Sequence, residues 1–154
     1  MRADNVNRWL TLGANFGVLI GIIVLLTELN QNSTMMRAQT RNEVTAGLMG
    51  LTSGIWNNPQ FADVHRRGYN GEELTATEHH QLNFHYLALF RYFENFHYQY
   101  RQGLYDETEF SAHRKAYTDV MNSKLVVEFW CDYRDGISPE ARADLDSLLT
   151  AYTC

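Results

Sequence analysis

Between Trp9 and Thr27 the chain reads WLTLGANFGVLIGIIVLLT, nineteen residues without a charge. No other feature restricts the possible folds as strongly. As a helix, such a run is about 28 Å long, close to the hydrocarbon thickness of a bilayer. Arg8 and Glu28 bracket it, and Trp9 stands where an interfacial aromatic belongs. A secretory leader has a shorter apolar core and ends at a small-residue cleavage site. Here TELNQNSTMM follows, with no A-x-A and no cysteine to take a lipoprotein anchor. The run therefore reads as a retained single-span anchor; a cleaved leader and a buried helix of a soluble protein are the competing readings. Arg2, Arg8 and the amino group lie on one side of it, Arg37 and Arg41 on the other. The positive-inside count tips only narrowly toward a cytoplasmic N-terminus, so the side of the membrane stays open.

Three glycines, Gly13, Gly17 and Gly21, stand four apart inside the run. Glycine weakens a lone helix, but a small-residue stripe on one face lets a second helix approach closely. Asn15 lies about 200° around the axis from Gly13, on the other side, where its amide suits a second helix contact. The expectation is a helix–helix interface, formed with another copy of the chain or with a membrane partner.

The remainder bounds the protein in other ways. A length of 154 residues suits one core. Residues 1–70 carry six arginines against four acidic side chains; residues 71–154 carry seven basic against fourteen acidic ones. An acidic distal half lacks the basic footprint of a nucleic-acid binder. Two cysteines, Cys131 and Cys154, form no CxxC. Cys131 reads as a small core residue and Cys154 as solvated, with pairing in an oxidising compartment left open.

Helical periodicity dominates after the anchor. Met36, Val44, Leu48, Leu51 and Ile55 share a face, with Thr40 between the first two. Gly47, Gly50 and Gly54 mark places where a neighbour can approach. Asn58 with Pro59 opens a short helix that stops near Gly68. Thr75 and Glu78 form a capping box at the head of the strongest element, which runs to about Gln102 before Gly103. Its expected buried face carries Leu82, Tyr86, Leu89, Phe90, Phe93, Glu94, His97 and Tyr100. A further helix follows Asp106, with Phe110, His113, Tyr117, Val120 and Met121 inward. KLVVEFW, from Lys124 to Trp130, could be helix or strand by composition, but no strand is there to pair with it, and it reads as helix. Ser138 and Pro139 start the last helix, with Ala141, Leu145, Leu148 and Tyr152 inward. The fold class is all-α: residues 1–30 as tail and anchor, then 31–154 as a domain completing a bundle of about five helices.

Catalytic signatures are sparse. P-loop, GxGxxG, HExxH and GxSxG patterns are absent. Glu94 and His97, three apart on a bundle helix, match half of a di-iron motif. A second E-x-x-H is missing, and only Glu109, His113 and Glu43 stand by as further ligands. The competing reading makes Glu94 a buried carboxylate paired with Arg134, Arg101 or Arg66, and His97 an aromatic-sized filler. That reading is preferred, so no cofactor is expected, with a metal ion as the minor alternative. His79 and His80 read as solvated, and His85 could face either way.

The anchor followed by ELNQNSTMMRAQ, then NNPQFADV, LFRYFENFHYQYRQGLYDE and SPEARADLDSLL resembles a widespread group of small, uncharacterised bacterial proteins with one N-terminal membrane helix. The resemblance covers nearly the whole chain and implies the same topology, in the bacterial inner membrane. It carries no catalytic residues, and implies a tyrosine or another aromatic where His97 stands. The functional expectation is a non-enzymatic, membrane-anchored helical protein that associates with itself or joins a membrane complex. The alternatives are a tethered metal or redox enzyme using Glu94 and His97, and a sensor taking a small apolar ligand among its aromatic rings.

Overall fold

A computed structural model describes residues 2–154, with side chains from Asn5 onward; Met1 and the Arg2 side chain of the topology count lie outside the described residues. Every regular element among the described residues is helical. The described residues form six α-helices: α1 (Arg2–Trp56), α2 (Pro59–Tyr69), α3 (Ala76–Arg101), α4 (Glu107–Val120), α5 (Lys124–Tyr133) and α6 (Pro139–Asp146). A single 3₁₀ turn spans Arg134–Gly136. The all-α reading holds. Two compact units divide the chain, Met1–Gln39 and Thr40–Cys154.

Among the described residues the first unit is helix alone. Its side chains from Asn5 to Gln39 are all exposed. The most apolar eighteen-residue window of α1 has a mean hydropathy of 2.2 and no buried residue, so this helix is long and apolar enough to cross a membrane. Thr11 and Thr27 turn their hydroxyls back to the carbonyls of Asn7 and Ile23, each at 2.9 Å. That bond hides a polar group within the helix's own backbone.

The second unit has an interior. Within it, α1 supplies Thr40 and Val44, both buried, and Leu48 and Leu51, partly so. Gly47 lets the Tyr92 ring lie against the helix: a Cβ there would stand 3.1 Å from the ring. Tyr92 then donates its hydroxyl to the Val44 carbonyl at 3.0 Å. Gly50 and Gly54 meet nothing within 4 Å, so the close approach expected of all three glycines occurs at one. Met36, placed on the same face by periodicity, is exposed.

Local signals set the other helix ends. Asn58 accepts from the Phe61 amide, with Pro59 in the first turn of α2. The Thr75–Glu78 capping box is formed in full at α3. Asp106 accepts from the Thr108 and Glu109 amides at α4. Past α3, Gly103 takes φ +71°, a left-handed conformation that costs glycine little.

Helix α3 is the hub, packing against α2, α4, α5 and α6. Leu82, Phe90, Phe93, Phe96, Met121, Trp130 and Leu145 have almost no exposed surface. The buried face of α3 is wider than expected, since Tyr92 and Phe96 are buried while Leu89 and Tyr100 are only partly so. A helix that packs against four others needs more than one stripe. Tyr117 resolves its buried hydroxyl by donating to the Leu89 carbonyl at 2.9 Å.

The last helix does start at Ser138 and Pro139, and the Ser138 amide donates to Glu94. Two further expectations need correction. Tyr152 is exposed, because α6 ends at Asp146 and the chain beyond it follows another course. Cys131 is bonded to Cys154 in a disulfide, rather than packed as a free core thiol.

Candidate functional site

The glycine stripe lies open. A Cβ added at Gly13, Gly17 or Gly21 would meet nothing within 4 Å, so nothing in one chain uses the room these glycines create. Asn15 is exposed as well, and its side-chain amide has no hydrogen-bond partner among the described residues. In this it differs from Thr11 and Thr27, whose hydroxyls are satisfied within the helix.

Glu94 and His97 do sit one turn apart on α3, but each is occupied. One Glu94 carboxylate oxygen accepts from the Ser138 amide at 2.7 Å. The other accepts from Arg91 at 2.6 Å. Ser138 precedes α6, so the carboxylate satisfies the first free amide at the N-terminus of that helix; the serine hydroxyl makes no cap bond. Partial burial pushes the Glu94 pKa up, but the Ser138 amide and Arg91 outweigh it and hold the carboxyl below its usual range. The arginine partner is therefore Arg91, not Arg134, Arg101 or Arg66. Those three pair with Asp146, with Glu140, and with Asp63 and Glu72. Arg91 stands three residues before Glu94 on the same helix, a spacing that the sequence itself displays.

His97 is 8% exposed and stacks on Phe93, with Phe110 at its edge. Burial lowers its pKa, against the pull of Asp144 3.9 Å away. That carboxylate is already held by Arg114 at 2.6 Å. The other candidate ligands are also engaged: Glu109 pairs with Arg41, and His113 Nδ1 lies 3.0 Å from the Tyr105 hydroxyl. Among the described residues, no three His, Cys, Asp or Glu side chains gather in a way that could hold a metal ion.

The structure adds a feature that sequence reasoning missed. His65 of α2 and His85 of α3 meet edge to face, ring centroids 5.5 Å apart, with Phe61 5.6 Å from His85. They border a hollow of about 160 Å³ that Tyr86, Leu89 and Val126 also line. Burial lowers the pKa of both imidazoles, and that of His85 falls to about 4 with His65 adding to the effect. His79 is exposed as expected, and His80, also exposed, stands edge-on to Phe84. Phe61, Val64, His65 and Gly68 share one helical face, and that spacing was the available hint of an inward α2 face.

At the far end of the chain the Cys131–Cys154 bond fastens the final residues to α5, with Cα atoms 5.3 Å apart. No family model, curated protein or solved structure matches this chain.

Proposed function

We propose that this protein is a single-span membrane anchor carrying a helical interaction domain, which associates with itself or joins a larger membrane complex. The observation that carries the reading is the uncharged run from Trp9 to Thr27, every side chain of which is exposed beside a domain whose own core is closed. Leaving so many large apolar side chains in water costs far more than a domain's net stability, and a bilayer removes that cost. The two residues with the strongest catalytic look also favour a structural role. Glu94 spends both oxygens on a helix cap and an arginine, and His97 is packed between rings.

The resemblance points to a bacterial inner membrane. The disulfide favours the oxidising side of that membrane for the helical domain, because thiols in the cytoplasm are kept reduced. This agrees with the narrow positive-inside count, which keeps Arg8 in the cytoplasm.

Alkaline carbonate washing of membranes that contain the full chain tests the anchor. The protein is expected in the pellet, and recovery of the intact chain in the supernatant would end the reading. Protease added to spheroplasts tests the side, with digestion of the helical domain expected.

A second reading, ligand sensing, draws on the hollow beside His65 and His85. Its volume resembles that of cavities that take benzene, and is smaller than usual for a drug-sized ligand. Benzene or xenon that shifts no NMR resonance of Leu89 or Val126 would remove it.

A further inference from the structure

We propose that two copies of this chain pair in parallel along one seam of α1, on the face that carries Asn15 and away from the glycine stripe. The proposal rests on the membrane-anchor reading and names the partner.

The seam is a heptad pattern. Inside the uncharged run, Leu12, Asn15, Leu19, Ile22 and Leu26 are spaced by alternating steps of three and four. The same alternation continues without a break through Leu29, Ser33 and Met36. Residues repeating at this spacing stay on one side of a helix that supercoils left-handedly about a partner. The next position in register is Thr40, which is buried in the second unit. All the earlier positions are exposed.

Three observations select a second copy as the occupant. The first is Asn15. An amide in hydrocarbon needs a partner, and the helix supplies none, although it satisfies Thr11 and Thr27. An asparagine is donor and acceptor at once, so across a two-fold axis its twin completes it. The second is charge. No seam position from Leu12 to Met36 is ionisable, so identical residues can face one another without repulsion; Glu28 and Arg37 fall off the seam. The third is the segment from Glu28 to Gln39. It is helical, exposed on all sides and mostly polar, a stretch of α1 about 18 Å long that nothing in its own chain covers. Two of its three large apolar residues, Leu29 and Met36, lie on the seam, and Met35 does not. Chains anchored through the same span insert the same way, and this makes the pair parallel.

The glycine stripe lies on the opposite side. Gly13 and Gly17 each stand two residues from Asn15, about 200° around the axis. The two faces therefore make different predictions.

The test is a scan of single cysteines from Leu29 to Met36 in the full-length protein in native membranes, followed by mild oxidation. Among the described residues the native cysteines are both in the disulfide, so the introduced thiol is the reactive one. A disulfide-linked dimer is expected at Leu29→Cys, Ser33→Cys and Met36→Cys, at roughly ten times the yield of Gln31→Cys or Thr34→Cys. Asn15→Val should lower the Ser33→Cys yield severalfold while Gly17→Ile leaves it unchanged. Flat yields, or maxima at Gln31 and Thr34, overturn the seam, as does an adduct whose mass is not twice that of the chain. If the chain stays in the carbonate-washed pellet in those cases, only the pairing is lost. If it appears in the supernatant, the anchor and the pairing fall together.

Discussion

The two units of this chain hold comparable apolar side chains in opposite surroundings. In Met1–Gln39, Leu19, Ile22 and Leu26 are about half exposed, and none has a protein neighbour to cover it. In Thr40–Cys154, Leu82, Phe93 and Trp130 show no surface at all. Helix α1 belongs to both units. Its apolar residues surround it completely between Trp9 and Thr27, but narrow to one face at Val44, Leu48 and Leu51. A stripe can be covered by neighbouring helices, whereas a helix that is apolar all round asks for a different solvent. The contrast teaches that the pattern of hydrophobic residues, more than their number, decides what buries them.

The comparison can be broken at either end. The largest effect is expected from Trp130→Ala. It removes a fully buried ring 4.7 Å from Phe90, together with the indole hydrogen bond to Asp146. The domain should lose about 3–5 kcal/mol in denaturant titrations, with membrane association untouched. A loss under 1 kcal/mol would mean that the core is not the closed one described. Leu19→Arg is the reciprocal change. It adds about 3 kcal/mol to the cost of insertion and should move part of the protein from the membrane pellet to the supernatant. The melting temperature of the domain should stay the same, and a drop of several degrees would show that the two units are not independent.

Glycine substitutions sharpen the same contrast. A Cβ at Gly68 would stand 2.6 Å from Leu82 Cδ1, and Leu82 is fully enclosed. Gly68→Ala should therefore cost about 1–3 kcal/mol. Gly17→Ala meets open space and should leave domain unfolding unchanged by the same assay.

A smaller effect should appear with pH. His85 takes up its proton near pH 4 in the folded domain, against the ordinary 6.5 when unfolded. Between those values the unfolded chain binds more protons, so stability is complete above about pH 6.5 and falls as the pH drops toward 4. His85→Phe should flatten this slope by on the order of 1–2 kcal/mol. Lowered carboxylates such as Glu94 add their own loss only below the usual glutamate range, so the interval from pH 6.5 to 4.5 reports the histidines. An unchanged slope in the variant would place His85 in water, outside the interior.

Much of the fold was legible residue by residue. The Thr75–Glu78 box, Asn58 with Pro59, and Asp106 all act within one turn of themselves, so reading neighbours in the chain was enough. The same local reading failed wherever the deciding contact was remote. Ser138 and Pro139 marked the start of α6, but not the carboxylate 44 residues earlier that binds the Ser138 amide. Tyr152 followed the helical period and yet is exposed, because the period stops at α6. Tyr92 and Phe96 lay off the expected stripe, since a periodicity count does not reveal that α3 has four helical neighbours.

The uncharged run and the local caps were properties of the sequence itself, because they depend on short-range sterics and on hydrophobicity summed along a few turns. Only the tertiary structure decided that Cys131 joins Cys154, that His65 meets His85, and that Glu94 caps α6. Those pairings depend on how helices cross one another. Crossing angles are set by the shapes of whole packed surfaces, to which no single stretch of sequence holds more than one side.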